Sequence, residues 1–281
     1  MSLGIIFKGP EGLVLAADSR VTLTAQLRPQ GVPPGQPIPP PMLLPATFDN
    51  ATKLLKVKGQ EYIGAVTYGA GAIGQAEPRT AHSFLPEFEA QLRDENPGRM
   101  SVEEFAKKLS DFYMTQWRAT MPSPYTGADM IFLIGGFNEG AVYGRVFELF
   151  LPSRPDPHEQ LVGTGSFGAV WGGQREFVDR LLQGYDPGVL HLAKAELTLN
   201  SIAIQRLQDR LAQLAIPIPY QFLPLQDCVD LSTFLIRTTI TLQQWQIGVR
   251  GVGGAIDVAT ITQTDGFQPV QQKKIRGESV T

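Results

Sequence analysis

Short apolar runs, joined in pairs by breaker residues and separated by blocks of amphipathic helix, constrain this chain more than any other feature. Residues 5–8 and 13–17 flank a Gly-Pro-Glu-Gly turn. Residues 55–57 and 62–68 flank "KGQE", and 130–137 and 141–150 flank "NEG". A fourth pair, in "AIDVATITQTDGFQPV", turns on Asp265-Gly266. Connections this short join antiparallel strands, because a parallel crossover needs a dozen or more residues.

Helical patterns fill the gaps. Residues 80–93 carry Phe84, Leu85, Phe88 and Leu92 at helical spacing. "SVEEFAKKLSDFYMTQW" opens with a capping box, Ser101 and Glu104, and aligns Val102, Phe105, Leu109 and Phe112 on one face. After "GTGSFGAVWGG" (163–173), read as a glycine-rich link, helices are expected at 174–183, near 190–214 and at 227–246. The order is strands, helices, strands, helices, strands. It implies an α+β fold, a four-layer αββα sandwich of two antiparallel sheets flanked by helices. One domain over 1–281 is expected, with no internal repeat.

Two segments stand out as additions. From Pro29 to Pro45, 8 of 17 residues are proline, so a helix or central strand is excluded and an extended, polyproline-like excursion is expected over about 28–50. A helical pair at about 188–223 carries an apolar stripe (Ile202, Leu207, Leu211, Leu214) that reads as core.

The totals exclude several function classes. A net charge of −3 gives no general attraction to nucleic acid or anionic membrane, and aromatic residues do not interleave with basic ones. No apolar run reaches the roughly 20 residues that span a bilayer. The start lacks the pattern of a signal peptide, so a cytoplasmic location is expected. The single cysteine, Cys228, reads as a buried small hydrophobe. Three scattered histidines have no ligand spacing, so no metal and no cofactor are expected. "GTGSFG" lacks the Lys-Ser/Thr of a phosphate loop.

The stretches "GLVLAADSR" (12–20), "KLLKV" (53–57), "GTGS" (163–166) and "GGAIDVATIT" (253–262), in this order, give the chain a resemblance to proteasome β-type subunits. The likeness extends to the bacterial proteasome-like proteins of the N-terminal-nucleophile hydrolase superfamily. The resemblance implies peptide-bond hydrolysis of a threonine-peptidase-like kind by an N-terminal residue, and self-association into a ring or helical assembly. It further implies unfolded polypeptide as substrate, delivered by an ATPase unfoldase.

In such chemistry one residue supplies the hydroxyl that attacks and the α-amine that takes its proton. An α-amine titrates at about 7.7–8.0, suited to base work near neutral pH. Removal of Met1 would free Ser2 for this role. Ser2 precedes Asp18 by 16 residues, the interval the family uses. Asp18 would hold Lys53, whose ammonium would depress the nearby hydroxyl and amine, and Arg20 would brace the acid. Thr164 would fill a further hydroxyl position. Backbone amides near Thr67, Tyr68 and Gly69 would receive substrate and stabilise its oxyanion. A register matched on Gly4 instead would carry Ser2 two residues into the strand, about 6.5 Å from that point. The family's aspartate and serine before the last "GG" are absent from "QIGVRGVGG", where Val249 and Val252 stand. A catalytically silent structural or assembly subunit with the same fold is therefore the alternative. Residues 28–50 are expected to line the site entrance or reach a neighbouring subunit.

Overall fold

A computed structural model describes residues 2–27, 42–163, 165–275 and 277 of the chain. The first apolar pair forms the hairpin β1 (Leu3–Lys8) and β2 (Leu13–Asp18), in which Gly4 faces Ala17 and Lys8 faces Leu13. All twelve residues are buried, as a continuous apolar run covered on both faces should be. Next come β3 (Val21–Leu27), β4 (Met42–Phe48), β5 (Leu54–Lys56) and β6 (Ile63–Gly69). Then follow α1 (Leu85–Glu95), α2 (Val102–Thr120), β7 (Met130–Gly136), β8 (Arg145–Leu151), β9 (Arg154–Gln160) and β10 (Gly168–Gly173). The last elements are α3 (Glu176–Leu182), α4 (Gly188–Glu196), α5 (Ser201–Leu211), α6 (Leu225–Gln243), β11 (Ile256–Thr262) and β12 (Gly266–Gln271).

One five-stranded antiparallel sheet has the order β10-β1-β2-β11-β12, the other β5-β6-β7-β8-β9. Period-two alternation divides their side chains between layers. Ile6, Leu15, Val66, Leu133, Val146 and Ile261 fill the space between the sheets. Leu3, Ile5, Phe7, Val14 and Val258 pack under α3 and α6, while Leu55, Ala65, Phe132 and Phe147 pack under α1 and α2. This is the αββα sandwich expected from the element order. The capping box of Ser101 and Glu104 starts α2, each side chain bonding the other's backbone N–H. Gly4 allows the two sheets a close approach, since a Cβ there would lie 2.6 Å from Val66 and 2.9 Å from Tyr68.

Three local readings need correction, and one strand lies where none was assigned. The glycine-rich link contains a strand, β10, which pairs with β1 from Gly168–Lys8 to Gly173–Leu3. Its glycines conceal the strand because they carry no alternating pattern. β9, "RPDPHEQ", falls in a stretch to which the sequence pattern assigns no element, and its two prolines are tolerated because it is the edge of its sheet. The second half of the proline-rich excursion is β4, paired with β3 in a separate two-stranded ribbon where each strand keeps an open side; residues 28–41 lie outside the described residues. The apolar stripe at 202–214 is not core, for Ile202 is 64% and Leu214 57% exposed. Helices α4 and α5 contribute no buried residue.

Candidate active site

The end of β2 delivers Asp18 into the sandwich with no exposed surface. Its carboxylate accepts four hydrogen bonds. Oδ1 takes the Lys53 ammonium at 2.6 Å and the Leu3 backbone N–H at 3.0 Å. Oδ2 takes the backbone N–H of Gly253 at 2.9 Å and of Arg20 at 3.1 Å. Two carboxylate oxygens offer about four acceptor positions, so this acid is fully used. It ties together the first strand, the segment before β5 and the loop before β11.

Each partner is placed by backbone pairing. Ser19 N–H donates to the Gly253 carbonyl at 3.0 Å, and Ala51 N–H donates to the Ser19 carbonyl at 2.9 Å. Thr67 N–H donates to the Lys53 carbonyl at 3.0 Å, fixing the lysine against β6. Gln243, at the end of α6, donates to Gln174 and accepts the Val252 N–H at 2.9 Å, which holds the loop that presents Gly253. Burial pushes the Lys53 ammonium below its ordinary pKa. Asp18 opposes that shift, while Lys273 and Arg20 add to it by like-charge repulsion.

Ser2 precedes β1 instead of lying within it. It is 4% exposed, and its carbonyl accepts the Gln174 N–H at 2.8 Å. Extending the hairpin register one step past Leu3 sets Ser2 beside Ser19. Ser2, Lys53, Thr67, Ala70, Gly71 and Met130 line one narrow cleft of about 20 Å³, together with Val21, Thr80 and Ala81. That is room for roughly one water. The ribbon begins at this cleft, because Val21 is the first residue of β3.

The other candidates are placed as follows. The Arg20 side chain does not reach Asp18. Its guanidinium grips Asp49 with bonds of 2.5 and 2.9 Å and reaches the Arg250 carbonyl at 3.3 Å, so only its backbone touches the acid. Hydrogen bonding to Arg20 draws the Asp49 carboxyl below its ordinary pKa. The Thr67 amide is spent on Lys53. Alternation turns the Tyr68 amide toward β7, as Ala70, two residues on, donates to Asp129 at 2.8 Å. The same alternation aims the Gly69 amide to the Thr67 side, past the end of the shorter β5. Gly69 has φ +86°, and a Cβ there would lie 2.1 Å from the Asp129 carbonyl. The Tyr68 ring fills the inter-sheet core against Gly4 and Gly172, with its hydroxyl bonded to Glu148 at 2.8 Å.

Thr164 lies outside the described residues. Its neighbour Gly163 shares a cavity with Lys8, at the end of β1 away from Ser2. The chain beside Ser2 is instead Gly173-Gln174, just before α3. Sequence reasoning missed this segment because the more conspicuous "GTGS" drew the match. It also missed Asp49, Gly253 and Gln243, which act through backbone or bridging contacts that leave no spacing signal. Val252 is buried under α6 and Val249 is exposed, so neither brings a polar side chain to the site.

No family model matches the sequence, and no curated protein matches it. Among solved structures, the Anbu (Gly-1) mutant from Hyphomicrobium sp. strain MC1 superposes with a TM-score of 0.52 at 14% identity. The match covers 97% of this chain and 86% of that one. The likeness is one of fold, which is proteasome-like and of the N-terminal-nucleophile type.

Proposed function

We propose that the chain is a proteasome-like peptidase subunit that cleaves peptide bonds with Ser2 once Met1 has been removed. The observation that carries this reading is the buried Asp18 carboxylate, which binds Lys53 and the Leu3 amide through one oxygen at the cleft that Ser2 lines. The Ser2 hydroxyl attacks the scissile carbonyl, forming the Oγ–C bond while its α-amine takes the proton. The C–N bond then breaks, and the amine passes that proton to the leaving nitrogen. Water hydrolyses the resulting ester by the same route. The Lys53 ammonium lowers the cost of the attacking oxygen's negative charge, and the Gly69 N–H is the backbone donor aimed to receive the oxyanion.

Unfolded polypeptide, fed by an ATPase unfoldase into a self-associated assembly, suits a cleft this narrow, since a folded chain cannot enter it. No helix among the described residues is long and apolar enough to cross a membrane. Fluorogenic peptides test the activity. Ser2→Ala is expected to abolish hydrolysis, while Ser2→Thr, which keeps a hydroxyl beside the amine, retains it. Full activity in Ser2→Ala would exclude the mechanism. The second reading, a silent assembly subunit, is favoured by Val252 and Val249, which bring no polar group to the amine's side. Inert wild-type protein with Met1 removed would support it.

A further inference from the structure

The peptide between Ser2 and Leu3 is held from both sides. Its carbonyl accepts the backbone N–H of Gln174 at 2.8 Å, and its N–H donates to Oδ1 of Asp18 at 3.0 Å. A trans peptide points these two groups in opposite directions, so one plane is gripped from the end of β10 and from the end of β2. Both grips lead back to a single side chain. Gln243 is the last residue of α6 and is 2% exposed. Its Oε1 accepts the Val252 N–H at 2.9 Å, and the next residue, Gly253, donates its N–H to Oδ2 of Asp18 at 2.9 Å. Its Nε2 donates to Oε1 of Gln174, the residue whose backbone holds the Ser2 carbonyl. A backbone N–H can only donate, so the Val252 contact fixes which end of the Gln243 amide faces Gln174. The hydrogen bonds thus close a circuit that leaves Ser2–Leu3 through Asp18 and returns to it through Gln174. Leu235, Ile236 and Ile240 of α6 pack with Leu3, Ile5 and Val252 in one outer core, which keeps the helix end in place.

We propose that Gln243 is a positioning residue for Ser2, setting the Ser2–Leu3 peptide plane through Gln174 on one side and through Val252, Gly253 and Asp18 on the other. The effect on catalysis rests on the Ser2 reading; the clamp itself does not. The Ser2 Cα belongs to that plane, and the hydroxyl and the α-amine both hang from it. Fixing the plane therefore leaves the nucleophile and its base only rotations about bonds to Cα. A displacement of about 1 Å at such a centre can cost roughly a hundredfold in rate. Val252 brings no polar side chain to the site, yet its backbone N–H is one link of the circuit. A buried network of this kind holds as a unit, because a half-satisfied amide in low dielectric is unfavourable.

The test follows hydrogen exchange at the backbone amides of ¹⁵N-leucine in the full chain. Gln243→Met keeps the length of the side chain and removes both of its hydrogen-bonding atoms. Exchange at Leu3, whose N–H is bonded to Asp18, is expected to speed about tenfold. Leu15, paired on both sides within the sheet, is expected to exchange as in the wild type. Labelling of Ser2 by a peptide electrophile, recorded in parallel, is expected to slow by about the same factor. If Gln243→Met does not fold, Gln174→Met breaks the bridge from its other end and gives the same readout. Equal acceleration at Leu3 and Leu15 overturns the proposal, because a merely structural bridge lowers the stability of the whole sheet together. An unchanged Leu3 rate in a folded variant, or labelling at the wild-type rate, overturns it as well. The expected Leu3 response with no labelling of the wild type supports the clamp and rejects the catalytic reading.

Discussion

Lys53 and Asp18 meet 2.6 Å apart with both side chains buried, and the contact joins one sheet of the sandwich to the other. Removing one partner of a buried pair leaves an uncompensated charge, at a cost of about 3–5 kcal/mol. Asp18→Asn is expected to lose stability on that scale and to lose Ser2 reactivity. Denaturant titration beside a labelling assay checks both. An unchanged unfolding midpoint would mean that the pair is not sealed from water.

The cleft beside Ser2 has space for little more than a methyl group. Peptides with alanine before the scissile bond are therefore expected to be cleaved at least tenfold faster than those with leucine, phenylalanine or arginine. Met130→Ala opens the wall of the cleft and is expected to narrow that ratio. Equal kcat/KM values for alanine and leucine substrates in the wild type would contradict the geometry.

Gly4 allows the sheets to touch. A methyl group there meets Val66 and Tyr68 well inside contact distance, and overpacking of this kind costs about 1–3 kcal/mol. Thermal unfolding of Gly4→Ala is expected to show a lower Tm. A stability equal to wild type would mean that β1 and β6 are farther apart.

Burial, followed by Asp227 and Glu11, pushes the Cys228 thiol up to about 11 from an ordinary value of 9.0. The native protein is expected to resist iodoacetamide at pH 8 and to react fully in denaturant. Between these two pKa values the folded state keeps a proton that the unfolded chain has lost. Stability must therefore fall as pH rises through that window. Relative to Cys228→Ser, the wild type is expected to lose stability from pH 9 to 11. A constant difference would refute the shift.

The layered architecture was legible because hairpin turns and helix blocks are local signals: the Gly-Pro-Glu-Gly turn and the Ser101–Glu104 box each announce their element. Asp18 and Lys53 were legible as residues by their spacing and motifs. What the sequence withheld depends on partners distant in the chain. Arg20 is drawn to Asp49 across the ribbon, a pairing that no periodicity encodes. β10 is hidden by glycines whose use appears only where Tyr68 packs against Gly172. The stripe of Ile202 and Leu214 looks the same in sequence whether it meets the core or the surface, and here it stays exposed. Asp257 and Lys273 are 16 residues apart, joined by a hairpin whose far end decides which acid the lysine meets.

Intact-mass spectrometry of the full-length protein, before and after treatment with an alanyl peptide epoxyketone, tests the central claim most directly. This reagent needs a hydroxyl and an α-amine on one residue to close its ring. The expected result is a chain lighter by one methionine that gains one adduct, with none formed on Ser2→Ala. A chain that retains Met1, or an adduct that persists on Ser2→Ala, would contradict the account.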